Sequence, residues 1–258
     1  MTDNLARLLQ IMRTLRGPDG CEWDRAQTFD TIVPHTIEEA YEVADAVARA
    51  DLVDLRDELG DLLFQVVFQA RIAEEAGHFD FDDVAQAIAD KLEARHPHIF
   101  GSEQMPGGMR EDRWEAIKAA ERNARGASSA LDGVAVALPA LTRAEKLQKR
   151  AARTGFDWPD ATGPADKLRE EMQELADAGP GERESEAGDL LFAAVNLVRV
   201  YGIAPEAALR AANRKFERRF RAMEDLAQGA FAALSLDQQE ALWQQVKAAE
   251  VRRLAQSE

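Results

Sequence analysis

The chain has 258 residues, 46% hydrophobic and 31% charged, enough to bury a core in one large domain or two small ones. Its formal net charge of −15 excludes a protein built to hold a nucleic-acid polymer, where a basic face supplies most of the affinity, but leaves open a small polyanion such as a nucleotide. Cys21 is the single cysteine, which excludes an intrachain disulfide and a cysteine-rich zinc site. The first residues carry no basic leader and no apolar run approaches the roughly 18 residues of a membrane span, so a cytoplasmic location and no membrane partner are expected.

Along the chain, apolar residues recur at helical spacing from the start, as Leu5, Leu8, Leu9, Met12 and Leu15. Strand-like alternation is hard to find, so an all-α fold is expected, broken at GPDG (17–20), MPGG (105–108) and AGPG (178–181). Thr36-Ile37-Glu38-Glu39 reads as a helix start, a capping box with Thr36 as its N-cap. The run Leu62 to Phe68 is apolar on nearly all sides and is expected to be buried.

One pattern is written twice. Glu38-Glu39-x-x-Glu42 followed by Glu58-x-x-Asp61 returns as Glu170-Glu171-x-x-Glu174 followed by Glu186-x-x-Asp189. DKLEARH (90–96) answers RKFERRF (214–220), aligning Lys91 with Lys215 and Arg95 with Arg219. RWEAIKAAE (113–121) answers LWQQVKAAE (242–250), aligning Trp114 with Trp243 and Lys118 with Lys247. Shared order and similar spacing point to two copies of one helical module. The expected organisation is an N-terminal module at 1–122, a small-residue linker at 123–130 and a C-terminal module at 131–258; two long units make a duplication rather than a solenoid.

On a helix, residues three and four apart share a face, so Glu39 joins Glu42, and Glu58 joins Asp61 on the following helix. Crowding several carboxylates in a partly buried place is costly unless something positive joins them. A divalent cation is the simplest compensation, since helical bundles build metal sites from carboxylates on facing helices. With no histidine or cysteine in these blocks the donors are hard oxygens, which favours Mg²⁺, with Mn²⁺ as a substitute, over zinc or copper. Mg²⁺ bound through a few carboxylates commonly has a phosphate chain as its other partner. Lys215 and Arg219, four apart, and Lys247 supply positive charge, and Trp243 offers an indole on which a base could stack. The plainer alternatives are a core or dimer-interface role for Trp243 and ion pairs from Lys215 and Arg219 to Glu217 or Asp225.

These residues resemble the MazG family of nucleoside triphosphate pyrophosphohydrolases, in its long two-module form. The resemblance covers essentially the whole chain, including GCEWDRAQTF (20–29), RHPHIFG (95–101) and GFDW (155–158). It implies two tandem helical bundles completed by homodimerisation. It also implies Mg²⁺-dependent hydrolysis of nucleoside triphosphates, with a broad base range, to the monophosphate and pyrophosphate by a metal-activated water. It assigns Glu171, Glu174, Glu186 and Asp189 as metal ligands, with Glu170 beside them orienting the attacking water. It places Lys167, Lys215, Arg219, Trp243 and Lys247 against the nucleotide. The first module keeps Glu39, Glu42, Glu58 and Asp61 as a secondary metal site. His35, His78, His96 and His98 are read as structural or surface residues.

The two copies differ. Aligning the acidic blocks sets Phe68 opposite Asn196, and aligning the basic blocks sets Ala89 opposite Asn213. Asn196 lies two turns past Asp189 on the same face, where an amide can reach a ribose, base or phosphate. The second module therefore holds the fuller polar set and is expected to carry most of the activity. Its spacer, AGPGERES (178–185), is four residues shorter than the first, and Arg183 within it is read as a solvated loop residue rather than a phosphate contact. A narrower relative (a dUTP or phosphoribosyl-ATP pyrophosphatase) and a non-catalytic nucleotide sensor or partner-binding protein are the alternatives. A ferritin-like di-iron site fits poorly, because neither acidic block holds the Glu-x-x-His pairing such sites use.

Overall fold

The computed structural model describes residues 3–101, 111–124 and 126–255; the MPGG break and Arg125 of the linker lie outside them. Among the described residues there is no strand, and the chain divides into two compact units, 1–117 and 118–258.

The first unit opens with α1 (Asp3–Leu15), whose apolar stripe buries Met12 and packs Leu8 and Leu9 against the core. A turn at Gly17–Gly20 ends it. A Cβ at Gly20 would run into the carbonyl oxygens of Thr14 and Leu15, so the chain can close there only with glycine. After the short α2 (Glu22–Ala26), α3 (Phe29–Arg49) begins on a reciprocal cap between Thr28 and Thr31. The expected start at Thr36 is therefore corrected: the Thr28–Thr31 box nucleates the helix eight residues earlier, and it runs on through Pro34. Thr36 lies mid-helix, where its hydroxyl bonds the Ile32 carbonyl and accepts from Gln69 at 2.9 Å. Ala50 turns the chain with a left-handed φ of 55°, and Asp51 caps α4 (Leu52–Glu75) by accepting from the amides of Val53 and Asp54. Two residues between helices force α3 and α4 into an antiparallel hairpin, the main packing pair of this unit.

The core of this unit is Met12, Ile32, Val67 and Phe68, with Phe64 edge-on to Phe68 at 5.7 Å. Fully burying each of these large side chains contributes roughly 2 kcal/mol. Burial of the Leu62–Phe68 run is one-sided, however: Leu63 and Val66 remain exposed. On α3, Phe29, Val33, Ile37 and Tyr41 form a second exposed apolar stripe at four-residue spacing. Helices α5 (Phe81–Arg95), capped by Asp80, and α6 (Pro97–Phe100) follow, then α7 (Glu111–Ala124), which runs across the division between the units. Arg16 ties the unit together. Its guanidinium, buried over the Phe68 ring, pairs with Glu75 at 2.7 Å and reaches the carbonyls of Asp24 and Gln27.

The second unit repeats the theme. Helix α8 (Ala140–Ala152) packs on α10 (Arg183–Val200), which pairs with α9 (Thr162–Asp177) as α4 does with α3. Helix α11 (Pro205–Ala227) and, after a 3-10 turn at Phe231–Ala233, α12 (Leu236–Ala255) complete it. Its buried side chains are small or few, among them Ala193, Val195, Met223 and Val246.

Candidate active site

The acids of each repeat gather where the two helices of a hairpin face one another. In the first unit the carboxylates of Glu39 and Glu42 on α3 and Glu58 on α4 come within 4.8 Å of each other. In the second, Glu171 and Glu174 on α9 and Glu186 on α10 do the same. Glu171 is buried, Glu186 half-buried and Glu174 exposed, so the group opens to solvent on one side. The closing aspartates, Asp61 and Asp189, stand outside these groups of three. Asp61 still lies near enough to repel Glu39 and Glu58.

Desolvation, followed by the charges of Asp61 and Glu42, pushes the Glu39 carboxyl above its ordinary value. Desolvation and then Glu42 and Asp54 do the same to Glu58. Glu174 is raised too, again first by desolvation, with Lys167 opposing. Carboxylates that hold their protons too tightly for want of a counter-charge, with oxygen as the sole donor type, suit a hard divalent cation.

In the second unit part of that counter-charge is supplied internally. Lys167 lies 2.7 Å from both Glu170 and Glu171 and 4.0 Å from Glu174. Its ammonium is held strongly in the charged form, first by its hydrogen bonds to Glu170 and Glu171. The corresponding position in the first unit is His35, whose ring stands 3.6 Å from Glu38.

The basic and aromatic residues sit on the α11–α12 pair. Arg219 bonds Glu250 at 2.8 Å and lies over the Trp243 ring at 5.3 Å, and Phe216 flanks the same indole at 5.8 Å. Arg95 stands over Trp114 at 5.0 Å in the first unit, so the repeat extends to this stacked pair. Lys215 and Asn213 are exposed and Lys247 is half-buried. Among the described residues no hydrogen bond or ion pair joins this set to the acidic group. Neither Glu217, which pairs with Arg221, nor Asp225 takes Arg219.

The MazG nucleotide pyrophosphohydrolase domain matches residues 27–100, which hold the first acidic group. The nucleoside triphosphate pyrophosphohydrolase of Escherichia coli (strain K12) is 50% identical over 96% of this chain and 99% of its own. The chain belongs to the MazG family. Its relatives include the nucleoside triphosphate pyrophosphohydrolase/pyrophosphatase MazG of Thermotoga maritima, 46% identical over 85% of both chains. Another is the nucleoside triphosphate pyrophosphohydrolase of Mycolicibacterium smegmatis, 31% identical over 93% of this chain and 70% of its own. The crystal structure of a mazG-related protein from Thermotoga maritima covers 44% of this chain and 98% of its own at 30% identity, with a TM-score of 0.37.

Within this MazG chain, several site features had no clear sequence signal. The Lys167–Glu171 pair is one, although its i,i+4 spacing was a usable clue. Glu250 as the partner of Arg219 is another, since 31 residues separate them. Arg183 proves to be the first residue of α10 rather than part of a loop, and its side chain donates to the Ala178 carbonyl. Asn196 is half-buried, and its carbonyl oxygen accepts from Arg199, which in turn grips Asp157. No single helix among the described residues is long and apolar enough to cross a membrane.

Proposed function

We propose that this chain hydrolyses nucleoside and deoxynucleoside triphosphates, with a broad base range, to the monophosphate and pyrophosphate, and that the second module (131–258) carries most of the activity. The observation that carries this reading is the group Glu171, Glu174 and Glu186, three carboxylates within 4.8 Å on facing helices. The 50% identity to a nucleoside triphosphate pyrophosphohydrolase supports the reaction class.

Glu171, Glu174 and Glu186 would hold Mg²⁺, or Mn²⁺ in its place, with Asp189 one helical turn further along α10. When bound, the cation neutralises the charge that builds on the phosphates and activates the attacking water. Glu170, exposed and bonded to Lys167, orients that water. Lys167, released from the acids once a cation joins them, is free to turn toward a phosphate. Lys215, Arg219 and Lys247 hold the departing pyrophosphate. Trp243, in contact with Arg219 and Phe216, presents an indole to the nucleotide. Asn196 and Asn213 supply amide contacts that the first module lacks at Phe68 and Ala89. The first module's Glu39, Glu42, Glu58 and Asp61 serve as a secondary metal site.

The exposed stripes at Phe29, Val33, Ile37 and Tyr41 and at Leu63 and Val66 support a homodimer in which a second copy covers them. A cytoplasmic enzyme fits the single free cysteine.

The test is Mg²⁺-dependent release of pyrophosphate against orthophosphate from the standard triphosphates by wild type, Glu174→Ala and Glu42→Ala. Pyrophosphate release reduced more than about 100-fold in Glu174→Ala but largely kept in Glu42→Ala is expected. The opposite ranking of the variants, or orthophosphate as the product, would sink the reading.

A further inference from the structure

The two acidic groups share one sequence register but differ in the charge set beside them. Glu38 aligns with Glu170 without a gap, so His35 stands where the second module has Lys167. The Lys167 ammonium lies 2.7 Å from Glu171 and 4.0 Å from Glu174, two of the three clustered carboxylates. In the first module the His35 ring lies 3.6 Å from Glu38, which is outside the cluster of Glu39, Glu42 and Glu58. Lysine is charged throughout the neutral range, whereas histidine carries a charge only when protonated.

The charges acting on the two groups differ accordingly. Those on Glu39 come from Asp61, Glu42 and Glu38, and those on Glu58 from Glu42, Asp54, Asp61 and Glu39, all of them negative. On Glu174 the largest single charge is that of Lys167, and it is positive. Among the described residues, then, the first group gathers its carboxylates without a lysine or arginine paired to them, while the second folds with a cation already seated.

The groups also sit at different depths in their hairpins. Glu42 lies about two turns before α3 ends at Arg49, and Glu58 nearly two turns after α4 begins at Leu52. Glu174 and Glu186 each lie within about one turn of the helix ends at Asp177 and Arg183, next to the turn that holds Gly179 and Gly181. Continuous helix on both sides fixes the first set of donors before any ligand arrives, and donors held in place in advance favour a cation.

Resting on the metal-dependent pyrophosphohydrolase reading above, we infer that the two modules take up their metal in different ways. The first group is a standing cation site, filled by Mg²⁺ or Mn²⁺ without nucleotide, where the ion braces α3 against α4. The second is filled together with the nucleotide. Lys167 holds the cation's place there until a phosphate chain offers its ammonium another anion and brings the metal further oxygen donors. His35 and Lys167 are the residues that set this difference.

The test is a Mn²⁺ titration at about pH 8, where histidine is mostly neutral, read by the electron paramagnetic resonance of the free ion. It is run without nucleotide and then with the α,β-methylene analogue of ATP, corrected for the analogue's own uptake of Mn²⁺. Wild type should show one class of bound Mn²⁺ without nucleotide, lost in Glu42→Ala and kept in Glu174→Ala. The analogue should add a second class, lost in Glu174→Ala. His35→Lys should weaken the first class about tenfold, the effect of one added positive charge near a divalent ion. His35→Gln adds no charge and should leave that class unchanged. Lys167→Met should show the second class without nucleotide, with the first class intact as a check on folding. No Mn²⁺ bound by wild type without nucleotide, or binding that survives Glu42→Ala, overturns the inference. So does an equal effect of His35→Lys and His35→Gln, or no new class in Lys167→Met. Pyrophosphate release by wild type is measured in parallel. Its absence alongside the expected Mn²⁺ pattern would defeat the hydrolase reading and leave the inference standing.

Discussion

Lys167 places its ammonium 2.7 Å from the buried carboxylate of Glu171, in the position where a cation would be wanted. The second acidic group therefore folds with part of its repulsion already answered, and a metal must displace or share with an internal competitor. Replacing Lys167 with Met should lower the melting temperature in EDTA and enlarge the rise produced by Mg²⁺. A Mg²⁺-induced rise no larger than in wild type would show that the ammonium does not compete.

The Arg16–Glu75 pair closes the first unit by joining the end of α1 to the end of α4. Burial would raise the Glu75 carboxyl, but Arg16 and Arg71 together outweigh it and hold it below the usual range. Arg16→Ala removes a buried guanidinium, one of the two arginines that hold Glu75, together with its bonds to two carbonyls, and should cost about 2 kcal/mol in urea unfolding. Arg16→Lys should recover only part of this, because a single ammonium cannot span both carboxylate oxygens and the carbonyls of Asp24 and Gln27.

Asp157 behaves differently with pH. Its hydrogen bonds from Arg199 hold its carboxyl below the ordinary value, so the unfolded chain binds that proton more readily than the folded one. The stabilisation is complete above the unfolded value, near pH 4, and is lost as pH falls through the folded one. Wild type should exceed Asp157→Asn by about 1 kcal/mol at pH 7, with the difference shrinking only below about pH 4. A difference that fades between pH 5 and 7 would refute the assignment.

Glu39 has the opposite sign. Raised by desolvation and by Asp61, it binds its proton more tightly in the folded chain, so in EDTA stability falls as pH climbs through the window above the ordinary carboxylate value. Glu39→Gln should therefore melt higher than wild type at pH 7 in EDTA, and the advantage should vanish near pH 4. With Mg²⁺ present the order should invert, since the variant loses a metal donor. The same order in both buffers would count against a metal at this group.

Much of this was legible in the residues because it is local. The i,i+3 and i,i+4 spacing of Glu39, Glu42, Glu171 and Glu174 sets them on common faces whatever the fold does around them, and the duplication sets Arg95 and Arg219 over Trp114 and Trp243 alike. Thr36-x-x-Glu39 matches a capping signature yet lies inside α3. The real box, Thr28 with Thr31, uses two hydroxyls and carries a weaker signal. The exposure of Leu63 and Val66 could not be read from periodicity, which reports how apolar a face is and not whether this chain or another covers it. The partners of Arg219 and Gln148 lie 31 and 44 residues away, distances that only packing resolves.

Phe68 also bears on how the duplication can change over time. At that register the first copy fills its interior with a phenyl ring under Arg16, while the second leaves an amide beside a cavity. Replacing Phe68 with asparagine would empty the centre of the first core at a cost of about 3–5 kcal/mol, a large part of the 5–15 kcal/mol by which a domain stays folded. Such a change calls for compensation from Met12, Ile32 and Val67, which pack with it. The same register thus serves packing in the first copy and a polar site in the second.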